Sequence, residues 1–467
     1  MQHWVTIGLL LLAAPSVALA HGRLKSSTPA AGAHLSTVPR ELRFDFSEVP
    51  DLTFSAIKLL GPGGIEVVVG PLRYAADSRR SVIVSVLRPL LPGTYVVQWQ
   101  LAGDDGHPVR GTLDFVIAPG AMGAASAVPS VGGTAASTDS AADVMHHDPA
   151  SMPTGNGFGA DSPIYVLVRW AQFMALLLAV GAISFHRFVL GSLGNAPVCD
   201  GAAQRAARVG LGAVGVLLLA LVLRLVAQSY AMHGARDAWN VSLSTQMIAR
   251  TMWGRGWLLQ LAGVLVAGVG FSRARLPIER ARVAWTVAAL GTVLLAFSPA
   301  FSGHAAAAPQ FRSLAIIADG LHVIGASSWL GSLALVLFAG LPSVRALALP
   351  ERGPMVARMI NAFSPVALAS AALAVATGVF AAWLHVGTIP HLWNTRYGIT
   401  LLVKLAILGV VALTGFYNWR VVKPSLGTEA ATVNLARSAR VEVAVAVFVL
   451  LATAVLVASP TSMDMVM

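Results

Sequence analysis

Three small groups of residues have types and spacings that suit metal chemistry. The first depends on a cleavage event. A cut after Ala18-Leu19-Ala20 leaves His21 as the first mature residue, where its free amine and imidazole can chelate one metal ion together. The second is Asp104-Asp105-Gly106-His107, in which Asp105 and His107 stand two apart and point the same way on extended backbone. An amine, two imidazoles and a carboxylate make a nitrogen/oxygen set suited to tetragonal copper(II). Asp-Gly is also the commonest hairpin-turn signal, and on spacing alone His107 reads first as a solvated neighbour of a turn. The third group lies in an apolar segment, where Asp319 and His322 are three apart and share a helix face. Ionisable groups in such surroundings are functional candidates.

The elements that must carry these groups differ sharply along the chain. Residues 1–20 read as a secretory signal, with a polar start, an apolar run from Val5 to Leu12 and a small-x-small ending. Residues 21–118 hold short alternating runs, Leu42–Phe46, Ile65–Val69, Ser81–Leu87, Tyr95–Leu101 and Leu113–Ile117, separated by turns such as Gly61-Pro62-Gly63-Gly64 and Pro92-Gly93. Period two with spaced turns predicts an all-β sandwich. Residues 119–162 are rich in Ala, Gly, Ser, Thr and Pro, which predicts a flexible linker. Residues 163–459 contain eight long apolar segments, predicting an all-α polytopic membrane bundle of eight transmembrane helices. Residues 460–467 form a short Met-rich tail.

Composition agrees with this division. Of 467 residues, 56% are hydrophobic and only 11% charged, too few charges to cover a soluble surface of that size. The formal charge of +11 is spread over short inter-helix loops, so it fits membrane topology and not nucleic acid. Arg205, Arg208, Arg273, Arg275, Arg280, Arg282, Arg345, Arg352, Lys423, Arg437 and Arg440 fall in alternate connections, with few basic residues in the others. The positive-inside rule then puts the β domain and both termini outside, in an inner-membrane protein facing the periplasm. The single Cys199 excludes an internal disulfide framework and a thiolate cluster.

Longer stretches carry two resemblances. His21-Gly22-Arg23-Leu24, Ser27-Thr28-Pro29-Ala30-Ala31-Gly32-Ala33, Pro39, Phe44 and Phe46-Ser47-Glu48 resemble the start of the CopC copper-binding family. Gly93-Thr94-Tyr95, Trp99, Asp105-Gly106-His107-Pro108-Val109, Gly111 and Phe115 resemble its end. The resemblance implies a cupredoxin-like, Ig-like sandwich whose Cu(II) ion is held by the amine and imidazole of His21, by Asp105 and by His107. Glu48 matches an acidic residue placed behind those ligands. No methionine stands between Val49 and Leu60, where some members carry thioethers for Cu(I), so a Cu(II)-only domain is expected.

Ser302-Gly303-His304-Ala305, Asp319-Gly320-Leu321-His322, Gly325, Trp329-Leu330-Gly331, Tyr397-Gly398, Leu401-Leu402 and Lys404-Leu405 resemble the CopD family of copper-resistance membrane proteins. Asn418 and the helix bearing Glu442 fit as well. Proteins that fuse the two are associated with bringing copper into the cell. A membrane copper path is therefore expected through His304, Asp319 and His322, with Asp319 paired to Arg224 or Lys404. By helical rise, Asp319 lies about 8 Å and His322 about 12 Å below the apolar start of their helix. The competing reading is a structural ion pair, with Arg224 and Lys404 snorkelling to the surface. Met463, Met465 and Met467 are candidate Cu(I) thioether ligands in the tail.

The first functional reading is a copper importer, not an enzyme. It has no phosphate-binding loop with Lys-Ser/Thr. Its partners are the copper ion and the lipid bilayer, with a periplasmic copper chaperone as a further candidate and no nucleic acid. The alternatives are a haem-type membrane oxidoreductase that reduces the bound copper, or a sequestration and resistance protein without transport. Haem would need facing histidines, such as His322 with His304 or His385.

Overall fold

The computed structural model describes residues 24–47, 49–102, 108–123, 162–276, 278–307, 311–425 and 429–458. The chain divides into two compact units, a β-sandwich and a helical bundle.

The sandwich has a four-stranded sheet in the order β1-β3-β7-β6 and a five-stranded sheet in the order β2-β9-β8-β4-β5. The strands are β1 Leu24–Thr28, β2 Ala33–Thr37, β3 Glu41–Phe46, β4 Asp51–Leu60, β5 Glu66–Val67, β6 Arg73–Tyr74, β7 Ser81–Ser85, β8 Gly93–Ala102 and β9 Pro108–Met122. Alternation fixes their faces. Leu42, Phe44 and Phe46 point inward from β3 and meet Val82 and Val84 of β7, while Arg43 and Asp45 point out. From the other sheet, Val97, Leu101, Phe115 and Ile117 close the core. Neighbouring strands run antiparallel, except that β2 runs parallel to β9. The run Ile65–Val69 splits: Glu66–Val67 pairs with β4, and Val69 bridges to Val86. Gly63 and Gly64 of the turn before it both have positive φ, which an L side chain rarely adopts.

Eight helices among the described residues are long and apolar enough to cross a membrane. They are α1 Pro163–Leu193, α2 Cys199–Gly234, α3 Met252–Arg273, α4 Ala281–Ser302, α5 Arg312–Val344, α6 Leu349–Val386, α7 Arg396–Val422 and α8 Thr432–Ala458. Leu219, Val283, Leu368 and Leu413 stand more than half exposed on their outer faces, as residues facing lipid tails do. The chain is a multi-pass membrane protein.

Small residues set how closely the helices approach. A Cβ on Gly181 of α1 would sit 2.5 Å from the Gly331 backbone of α5. Gly270 and Gly291 likewise let α3 and α4 meet backbone to backbone at Ala288 and Ala267. Among the described residues four short π-helical stretches interrupt the α-helices, at Phe185–Leu190, Ser327–Gly331, Val336–Gly340 and Asn418–Val422. Such stretches often lie near functional sites.

Candidate metal sites

In the β domain, the described residues frame the expected Cu(II) site without including it. His21, Glu48, Asp105 and His107 lie outside the described residues, as do Met463, Met465 and Met467. On either side of residues 103–107, β8 and β9 pair antiparallel in unbroken register to Ala102 and Pro108. That ladder is held in place by Trp99. Its indole lies across Gly111, its cross-strand partner, where a Cβ would come within 2.3 Å of the ring. Phe46 meets the same indole edge-on at 5.6 Å. Trp99 and Gly111 thus explain two residues of the motif by packing alone.

A charged group holds the opposite sheet. Arg43 contacts Asp45 at 2.9 Å and Asp77 at 2.9 Å, and Ser26 donates to Asp45 at 2.8 Å. The Ser81 hydroxyl, then the Arg43 and Ser26 contacts, hold the Asp45 carboxyl below its usual range against the opposing effect of burial.

In the bundle, His322 sits in a slot cut for its ring. Gly325, one turn further along α5, has no side chain, and a Cβ there would lie 2.9 Å from the Ser370 carbonyl of α6. The close approach lets the imidazole reach α6. Its Nδ1 lies 2.9 Å from the Ala374 carbonyl and 3.2 Å from the Thr377 hydroxyl, whose own proton goes to Leu373 at 2.7 Å. Gly378 faces the ring, and a Cβ there would be 3.2 Å from Cε1. A carbonyl only accepts, so Nδ1 carries a proton, and in the neutral imidazole Nε2 keeps its lone pair. This is how metal-binding histidines are usually oriented, the second ring nitrogen donating to a carbonyl or carboxylate.

Asp319 is half-buried one turn before His322, and the charge acting on it comes from Lys404 of α7. Arg224 does not join them. It is only 3% exposed and donates to Gln260 at 2.8 Å, Ser302 at 2.9 Å and Tyr165 at 3.4 Å. Of the two partners expected for Asp319, Arg224 is excluded by its own hydrogen bonds and Lys404 is the cation whose charge reaches the carboxyl, and the snorkelling alternative is corrected for Arg224. Sequence depth places a residue along a helix but not around the bundle. His304 opens a short helix, His304–Ala307, and its side chain lies outside the described residues. The His385 ring meets that of Tyr397 edge-on, with centroids 6.5 Å apart. No group of three or more His, Cys, Asp or Glu side chains is gathered at one point among the described residues.

Family models match the β domain and the helices on either side of α5, which itself lies outside the matched residues. The CopC domain matches residues 24–118, the Copper resistance protein D-like N-terminal domain residues 160–310, and Copper resistance protein D residues 357–456. The chain is a fusion of a CopC domain with copper resistance protein D domains.

The fusion is 24% identical over 466 residues to the copper transport protein CutJ of Bacillus subtilis (strain 168), covering 98% of this chain and 77% of that protein. Its first domain is 32% identical over 120 residues to copper resistance protein C of Escherichia coli, covering 24% of this chain and 94% of the relative. Among solved structures, CopC from Methylosinus trichosporium OB3b is 28% identical, with 21% of this chain and 95% of that one covered and a TM-score of 0.20. The fusion is thus a member of a copper transport and resistance family.

Sequence reading of the fusion missed the residues that seat His322. Nothing marks the Ala374 carbonyl in advance, and Thr377 and Gly378 read as ordinary residues of an apolar helix. The one available signal was the nearness of Gly325 to His322 on α5. Arg169 and Gln172 of α1 were also missed, although both are polar residues in an apolar segment, each 3% exposed.

Proposed function

We propose that the fusion captures Cu(II) outside the cell and carries copper inward across the bilayer. In this reading the cargo is first held by the amine and imidazole of His21, with Asp105 and His107, and Glu48 behind them. It then passes into the bundle, where His322 offers the lone pair of Nε2. The observation that carries the reading is the His322 seat, because it fixes the tautomer and ring orientation that a metal ligand needs. Asp319 one turn away supplies a carboxylate, and Lys404 its counter-charge. The fusion to a CopC domain supports copper as the cargo. The basic residues in alternate loops support placing the β domain on the outer side, where it would meet the incoming copper. Met463, Met465 and Met467, and His304, would offer further ligands on the outer side, the thioethers suiting Cu(I).

Total cell copper, measured by mass spectrometry, tests this. Cells expressing the full chain are expected to gain copper, and His107→Ala and His322→Ala are each expected to remove most of the gain. An unchanged copper content, or a fall with better copper tolerance, would reject import in favour of sequestration or export.

A further inference from the structure

The end of the bundle at which α1 begins contains a second polar cluster, separate from the His322 seat. Arg169 of α1 and Arg224 of α2 are each 3% exposed, and both guanidiniums stay charged at any pH the protein meets. They stand on either side of Tyr165, which is fully buried. Arg169 lies over its ring at 5.1 Å, and Arg224 Nε donates to its hydroxyl at 3.4 Å. Gln260, Ser302 and the Val457 carbonyl, at 3.2 Å from Arg169, complete the surroundings. Every one of these partners is neutral. Among the described residues no carboxylate makes an ion pair with either arginine.

The cluster is also unbalanced in hydrogen bonding. Two guanidiniums bring ten N–H donors between them. The acceptors are few, and the Gln260 carbonyl oxygen already serves both Arg224 and Gln172, at 2.8 Å and 3.2 Å. Two buried donors find no acceptor among the described residues: Arg169 Nε and the indole N–H of Trp253, whose ring lies 5.8 Å from the Arg224 guanidinium. Two positive charges and spare donors inside a lipid-embedded bundle call for negative charge.

We propose that Arg169 and Arg224 form a binding site for a small monovalent anion, of the size of chloride or formate. The close packing of Tyr165, Trp253 and Gln260, none more than 1% exposed, suits a small ion and not a bulky one. A bound anion would cancel the positive potential that two bare arginines set up at the end of the bundle where α5 and His322 also begin. The site stands apart from the copper reading and is tested by binding alone.

The test uses the purified full chain in phosphatidylcholine nanodiscs, with chloride titrated against gluconate at constant ionic strength and thermal unfolding as the readout. A saturable rise in Tm with chloride is expected. Arg169→Gln and Arg224→Gln should each raise the half-saturating chloride concentration at least tenfold. Trp253→Phe, which removes one donor with little change of volume, should raise it by a smaller factor and covers the case in which an arginine variant does not fold. Equal unfolding in chloride and gluconate, or an unchanged response in the variants, would overturn the proposal.

Discussion

His322 of α5 donates its Nδ1 proton to the Ala374 carbonyl of α6 at 2.9 Å, joining two membrane helices through one imidazole. The bond leaves Nε2 as the basic nitrogen. Gly378 bounds the ring on the α6 side, so Gly378→Ala would press a methyl to 3.2 Å from Cε1 and shift the imidazole by a few tenths of an ångström. Disturbing the groups that orient a ligand costs about 10-fold to 100-fold in metal affinity or activity. Gly378→Ala is expected to reduce copper accumulation by about 10-fold at unchanged expression. Thr377→Val, which leaves the Ala374 bond in place, should cost less. Equal accumulation in Gly378→Ala and the parent chain would remove the role given to the seat.

Gly111 and Trp99 give a prediction confined to the β domain. A methyl at position 111 meets the indole at 2.3 Å, and Phe46 holds that indole from another side. Overpacking of this kind costs about 1–3 kcal/mol. Denaturant unfolding of the β domain, which has a closed core of its own, should show Gly111→Ala less stable by that amount.

The sandwich and the helices were legible for different reasons. β3, β7, β8 and β9 alternate cleanly because each has one face on the core. β4 was hidden because its register shifts between Asp51 and Ala56, where Phe54 and Ser55 are buried in succession and the alternation breaks. β2, with only Ala33 and Leu35 to pack, is held by its parallel pairing to β9 more than by its own residues. In the bundle, apolar length reveals a helix but not where it ends. α6 begins at Leu349, ahead of its apolar run, with Glu351, Arg352 and Pro354 in its first turns. The angular arrangement of helices was not legible at all. Arg224 was therefore matched to Asp319 by depth, whereas its partners are on α1, α3 and α4.

The α1–α5 contact should tolerate change poorly. At Gly181 an added methyl meets the backbone of Gly331 at 2.5 Å, and backbone cannot move aside cheaply. Gly181→Ala is expected at or above the upper end of about 1–3 kcal/mol, seen as lower Tm and aggregation in detergent. Gly409→Ala on α7 meets nothing within 4 Å and serves as the control, neutral or stabilising by up to ~1 kcal/mol. Equal effects at the two positions would contradict the packing described.

Acid should weaken the β domain through Asp45 and Asp77. Ser81 first, with Arg43 and Ser26, lowers the Asp45 carboxyl, and Arg43 lowers that of Asp77. A carboxyl held low in the folded state stabilises it above the unfolded value, about 3.9. That contribution is lost as pH falls through the lower folded value. Asp45→Asn should therefore lower Tm at pH 7 and narrow its difference from the parent as pH falls below about 4. A difference that stays constant down to pH 3 would contradict the assignment.

The central claim is that copper crosses the bundle past His322. Its most direct test is copper flux into liposomes that contain the purified full chain and an enclosed copper-responsive dye. The account predicts copper entry at a rate set by the protein, with His322→Ala reducing it to that of empty liposomes while the variant remains folded. Entry at the parent rate in His322→Ala, or no entry with the parent chain, would contradict it.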